Sequence, residues 1–254
     1  MGLAERRRAS SLIGAKYYTV ARHRDTRLRE AILERLPEGG VFLDAGCGGR
    51  LLLARQVRER CRLAIGVDLE PPPPGEPGLR SLVSDLAALG LRSGLVDVAA
   101  MRSVSEHLPD PGAALREIGR VLKPGGSAVI LSPNKWYYAS VAGRLVPERA
   151  ASSILRLIYG RSVYDNFPTY YRANTRRAVA RLAAKAGLGV ERIEICEHPP
   201  DYLKLSPFLF RLGVLYDRIT ARWRPLHGLA VSYLFVLRKP GGGATAGPRP
   251  GAAR

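Results

Sequence analysis

Val41-Phe-Leu-Asp-Ala45 is an apolar run that ends abruptly at Gly46-Cys-Gly-Gly49. A strand of that composition has no polar face to give to water, so it belongs in a sheet covered by helices on both sides. The glycines that follow let the backbone turn sharply and come close to a ligand, and a helix behind them would offer free N–H groups. The rest of the chain is read outward from this junction.

Ahead of it, Tyr17–Leu36 predicts an amphipathic helix with Leu28, Ile32 and Leu36 on one face, ended by Pro37-Glu-Gly-Gly40. Behind it come a helix over Leu51–Cys61, a strand over Leu63–Val67 and a stiff proline loop at Pro71–Pro77. Short strands follow at Arg80–Val83 and Leu95–Met101. A helix over Pro111–Leu122 then turns through Lys123-Pro-Gly-Gly126 into a strand over Ser127–Ser132. Strands of this length alternating with helices define a doubly wound α/β domain with a largely parallel sheet.

The pattern breaks between Pro133 and Arg172, where Trp136, Tyr137, Tyr138, Tyr159, Tyr164, Phe167, Tyr170 and Tyr171 crowd a stretch without strand period. This is expected to be an insertion over the C-terminal edge of the sheet. Regular structure resumes with a helix over Asn174–Ala186, a strand over Val190–Ile195 and a final strand over Ala230–Leu237. The expected organisation is an N-terminal helical segment (1–40), a core formed by 41–132 and 174–239, a lid or substrate insertion (133–173) and a disordered tail (240–254).

Composition narrows the class: 46% hydrophobic and 24% charged residues suit a chain with a real core and exclude a disordered one. Cys47, Cys61 and Cys196 have neither disulfide nor metal-ligand spacing, so a reducing cytoplasm and no metal site are expected. The start lacks the apolar segment of a signal peptide. The apolar stretches near Leu205–Tyr216 and Leu229–Leu237 fall short of the roughly 20 residues that span a bilayer. The net charge of +18 is uneven: residues 1–40 carry +4, 41–140 only +2, and 141–240 +10. Arginine accounts for 34 of the 40 basic residues, which by itself fits a GC-rich coding sequence.

Three acids fall at successive strand ends: Asp44, Asp68 in Ile65-Gly-Val-Asp68, and Asp85 in Val83-Ser-Asp85. An acid ending the second strand of a nucleotide-binding α/β fold accepts hydrogen bonds from ribose hydroxyls, and all three are expected to point into the crevice above the sheet. Taken with Ser105-Glu-His-Leu-Pro-Asp-Pro111, Arg116-Glu-Ile-Gly-Arg-Val-Leu-Lys-Pro-Gly-Gly126 and Ile130-Leu-Ser-Pro-Asn134, these segments resemble the class I S-adenosylmethionine-dependent methyltransferases. The resemblance is closest to the group that contains the quinone-biosynthesis methyltransferases.

The resemblance implies a Rossmann-like seven-stranded sheet whose last strand is antiparallel, with S-adenosylmethionine (SAM) as cofactor. It implies that Asp44, Ala45, Gly46, Cys47 and Gly48 hold the methionine and ribose portions. Asp68 and Leu69 would sit at the ribose, Asp85 and Leu86 at the adenine, and Met101 and Arg102 at the sulfonium. One position departs from the family: Arg50 stands where a third glycine is usual. Methyl transfer needs mainly in-line positioning, but an oxygen nucleophile also needs a proton acceptor. His107 is the first candidate, ahead of His198 and the Tyr170–Tyr171 pair; His23 and His227 are assigned structural or exposed roles.

The expected activity is methyl transfer to a small-molecule acceptor, at oxygen, with a lipid-like, phenolic or sugar-containing substrate. Leu205, Phe208, Leu209, Leu212, Leu215 and Ile219 recur at helical spacing beside Lys204, Arg211, Arg218 and Arg222. This stretch reads as a lid helix on the core, or as peripheral membrane contact through 203–222. Nucleic acid is disfavoured as a partner, since no recognised binding module accompanies Arg6-Arg7-Arg8 or Arg176-Arg177. The sequence leaves two alternatives, an RNA methyltransferase and a degenerate fold that binds lipid or protein. Arg50 is what sustains the second.

Overall fold

A computed structural model describes residues 2–70, 77–146, 157–158 and 168–241. Seven strands form one sheet in the order β3-β2-β1-β4-β5-β7-β6. They are β1 (Gly40–Ala45), β2 (Cys61–Asp68), β3 (Leu79–Val83), β4 (Val96–Arg102), β5 (Leu122–Pro133), β6 (Gly189–Cys196) and β7 (Ser232–Arg238). The pairs from β3 to β5 are parallel, and β7 enters antiparallel between β5 and β6.

Every residue of β1 is buried, as its composition requires. Its side chains alternate between two core layers: Val41, Leu43 and Ala45 on one face, Phe42 on the other. The central and later strands do the same, with Val98 and Ala100 opposite Ala99 and Met101, and Leu234 and Val236 opposite Phe235 and Leu237. The first layer is closed by helices α4 (Pro111–Val121) and α6 (Arg176–Lys185), the second by α2 (Arg24–Leu33) and α3 (Leu52–Val57).

Local chemistry sets the helix starts. Asp110 accepts from Ala113 N–H at 3.0 Å and Pro111 follows it, so α4 opens with a side-chain cap and a proline in its first turn. Thr175 caps α6 in the same way, and Ser206 with Pro207 opens α7 (Pro207–Arg222). Past the end of α6, Gly187 takes φ +71°, the left-handed turn that reverses the chain into β6.

Two expectations need correction. The helix expected over Tyr17–Leu36 is only α2; the chain before it forms a separate helix, α1 (Leu3–Tyr17), and between the two Tyr18 and His23 adopt extended backbone, with His23 accepting from Asp25 N–H. Helix α1 buries only Ser10 and Gly14, a small and polar face that hydrophobic periodicity cannot reveal. The helix expected to Cys61 ends at Val57, because residues 58–60 tighten into a 3₁₀ turn and Cys61 already pairs in the sheet. Residues 71–76 of the proline loop, Tyr159, Tyr164 and Phe167 of the insertion, and the tail from 242 onward lie outside the described residues. The described part of the insertion contains α5 (Tyr138–Leu145).

Candidate functional site

The C-terminal ends of the parallel strands β1 to β4 lie side by side along one edge of the sheet, where the cofactor crevice is expected, and the glycine loop after β1 lies at that edge. Gly46 (φ +79°) and Gly48 (φ +57°) both need the left-handed region. A Cβ on Gly46 would lie 2.4 Å from Val104 Cγ2, so only a bare backbone lets this loop meet the segment after β4. Gly48 and Gly49 instead have open space where a Cβ would stand, leaving their backbone accessible. The loop is tied to β2: Gly46 and Cys47 N–H donate to Val67 O at 2.8 and 3.1 Å, and Gly48 N–H donates to Asp68 Oδ2 at 2.8 Å.

Leu51 is buried and left-handed (φ 52°), an unusual conformation for a branched side chain. It packs on Gly66 so closely that a Cβ there would lie 2.1 Å from Leu51 Cδ2. Arg50, the departure from the family pattern, is exposed. The other two non-glycine residues with positive φ among those described are Ser103 (54°), just past β4, and Tyr171 (50°), whose N–H bonds the Glu106 carbonyl. Strained backbone gathers at functional sites, and here it gathers around the crevice.

The acids do not all behave as expected. Asp68 remains at the mouth of the loop, and its Oδ1 accepts from Leu69 and Glu70 N–H at 2.8 and 3.3 Å. Asp85 is exposed beyond β3 and turns its own loop by accepting from Ala87 N–H at 2.8 Å, with Leu86 buried beside it. The expectation that Asp44 also points into the crevice is corrected. Its carboxylate turns beneath the loop and accepts from Ala54 N–H at 3.1 Å in the first turn of α3. Burial pushes that carboxyl up to about 7, against the lowering effect of the helix N–H groups. The Cys47 thiol is raised by burial to about 12, which leaves it inert as a nucleophile.

Met101 is buried at the end of β4, whereas Arg102 leaves the crevice floor to bond Asp25 of α2 through two contacts, 2.8 and 3.1 Å. Burial alone would raise Asp25, but the Arg102 guanidinium outweighs it and holds the carboxyl below its ordinary value. Arg102 thereby ties the end of β4 to the start of α2.

Beyond β4, His107 Nδ1 lies 3.1 Å from Pro168 O. An N–H at Nδ1 would donate to that carbonyl, the tautomer whose lone pair sits on Nε2. Nε2 is 4.0 Å from Glu106 Oε1. The Glu106 carboxyl is buried and raised to about 7 by that burial, and its Oε2 has no hydrogen-bond partner among the described residues. His198 is placed differently: burial lowers it to about 3, and Nδ1 is 2.6 Å from Pro199 O. His23 caps α2, and His227 Nε2 sits 3.2 Å from Ala221 O. Reading the sequence missed Glu106, Ser103, Leu51 and Asp25. Only Glu106 left a signal, as the neighbour of His107.

Could SAM fit here? The bare Gly48–Gly49 backbone suits a carboxylate and ribose approaching closely, and Asp68 stands where a vicinal diol would be bound. The donor set therefore fits the cofactor. Among the described residues no group of three His, Cys, Asp or Glu side chains could hold a metal ion.

A glycine loop after β1, an acid after β2 and this strand order define a class I SAM-dependent methyltransferase. Comparison with known proteins agrees. A methyltransferase-domain profile matches residues 20–193, and the chain belongs to that family. It is 32% identical to a ubiquinone biosynthesis O-methyltransferase of Sodalis glossinidius over 50% of this chain and 58% of that protein. A protein of the same name from Ralstonia nicotianae is 26% identical over 80% of this chain and 77% of its own length. In structure the chain is similar to the geranyl diphosphate C-methyltransferase of Streptomyces coelicolor, solved with Mg2+, geranyl diphosphate and S-adenosyl-L-homocysteine. There the TM-score is 0.52 at 18% identity, covering 85% of this chain and 80% of that one.

Proposed function

We propose that this methyltransferase transfers the SAM methyl group to an oxygen of a small, lipid-like, phenolic or sugar-containing acceptor in the cytoplasm. The observation that carries the oxygen assignment is the Glu106–His107 pair just past β4, an imidazole backed by a buried carboxyl whose Oε2 has no partner among the described residues. The O-methyltransferase names of the relatives support it. Bound SAM supplies an already activated electrophilic methyl group.

This chain's residues do the rest. The Gly46–Gly48 backbone and Asp68 hold the cofactor's polar ends, with Ala45, Cys47 and Leu69 shaping the loop around them and Leu86 walling the adenine side beside Asp85. Met101 closes the floor, and Arg102 ties the end of β4 to the start of α2. His107 Nε2 takes the acceptor's proton, and Glu106 stabilises the imidazolium that results. The names of the relatives favour this reading over methylation of RNA.

The first test is thermal unfolding with S-adenosylhomocysteine, and with NAD+ as control. A ligand at about 100 times its Kd adds roughly 2.7 kcal/mol, a rise of about 5–10 °C for a chain of this size. No rise would return the chain to a fold that binds partners without the cofactor. With binding established, transfer of labelled methyl to a catechol acceptor is expected to fall by about 100-fold or more in His107→Ala. Unchanged transfer would remove His107 from the reaction.

A further inference from the structure

Helix α7 is built inside out. Its inward face is Phe210, Gly213, Val214, Asp217 and Thr220, while large apolar side chains face the solvent. Phe208 is 66% exposed, Leu212 46%, Leu215 54% and Ile219 38%, and Trp223 just past the helix is 62% exposed. Steps of three and four residues place these side chains on one stripe. Arg211, Arg218 and Arg222 lie together along one edge of it, and all three are exposed. Arg218 also covers the Tyr17 ring at 4.8 Å. The only acid of the helix, Asp217, faces inward and accepts from the Tyr18 hydroxyl at 2.7 Å.

We propose that this face docks on an anionic glycerophospholipid bilayer, the stripe entering the acyl boundary while the arginine row meets lipid phosphates. A continuous apolar stripe in water is a liability unless something covers it. The charge beside it says what does: three arginines with no outward acid on the helix suit a negative surface. Nucleic acid would use the arginines but has no use for five exposed apolar side chains. A second copy of this chain would bring a second arginine row and no compensating acid to the contact. No described helix is long and apolar enough to cross a membrane, so the association is peripheral. The inference goes beyond methyl transfer and does not depend on it.

The test is flotation of the full chain with vesicles of phosphatidylcholine alone or mixed with phosphatidylglycerol, with solution mass measured alongside. Each arginine near such a surface is worth roughly fivefold, so binding to the anionic vesicles is expected to be about 100-fold tighter and to weaken with salt. Phe208→Ser/Leu212→Ser is expected to lower binding at least tenfold, and Arg211→Gln/Arg222→Gln to remove most of the anionic preference. Both variants alter exposed side chains, and their S-adenosylhomocysteine-dependent thermal shift is expected to match the parent, separating this proposal from the methyltransferase reading. The proposal is overturned by equal binding to both vesicles, by no binding, or by binding that neither variant changes. It is also overturned by a dimer that Phe208→Ser/Leu212→Ser dissociates, or by retention on RNA in place of vesicles.

Discussion

Gly46→Ala tests the idea that the crevice floor exists only because one residue lacks a side chain. Two terms oppose the alanine. At φ +79° the left-handed backbone is disfavoured for a residue with a Cβ by roughly 1–2 kcal/mol. The new Cβ would also lie 2.4 and 2.8 Å from the two γ-methyls of Val104, an overpacking of about 1–3 kcal/mol. The sum, about 2–5 kcal/mol, is a large share of a typical domain's stability. Val104→Ala separates the terms, because it removes both methyls and leaves only the Val104 Cβ, 3.2 Å from the new atom. On its own it is expected to cost about 1 kcal/mol for the lost burial. The double variant should then recover about 1–3 kcal/mol relative to the sum of the singles, retaining the backbone term. Urea denaturation of the four proteins measures the coupling, and calorimetric titration with S-adenosylhomocysteine reports whether the loop still binds. Additivity within about 0.5 kcal/mol, or a Gly46→Ala protein that unfolds and binds like the parent, would refute the steric reading.

Asp68→Asn keeps the shape of the loop mouth but weakens the acceptor, so S-adenosylhomocysteine affinity is expected to fall about 10–100-fold by calorimetry; unchanged affinity would remove Asp68 from the ribose. Burial raises the Asp217 carboxyl from 3.8 to about 7, so the folded chain keeps a proton that the unfolded chain releases. Its contribution to stability is therefore full below about pH 4 and is lost as pH rises through 7, with an upper bound of about 4 kcal/mol. Relative to the parent, Asp217→Asn should gain in Tm between pH 5 and 8, and parallel Tm curves would contradict this. Arg102→Gln breaks the two-contact pair with Asp25 at a half-exposed site and is expected to cost about 1 kcal/mol, less at high salt.

What could be read without coordinates is what burial writes into residue type. Val41–Ala45, Ile65–Asp68 and Ile130–Ser132 are strands because a sheet covered on both faces admits only such runs. Gly46 and Gly48 were legible because no other residue takes those φ values without strain, and Asp110-Pro111 because caps act through their neighbours. Helix α1 was not legible, since its inward face of Ser10 and Gly14 gives no apolar period; its place is set by Phe210 against Gly14.

The chain's own order of residues thus determined the strands, the glycine turn and the acids after the strands, all local matters of backbone preference and apolar period. Only the tertiary structure decided where the charges went. Asp44 turned under the loop because the first turn of α3 left N–H groups to be met, and Arg102 turned outward because Asp25 was there to receive it. Glu106 became a raised carboxyl because distant segments enclose it, and α7 shows its apolar side to solvent because Asp217 found its partner in Tyr18, 199 residues away. Those choices depend on partners far apart in the sequence, which no local pattern records.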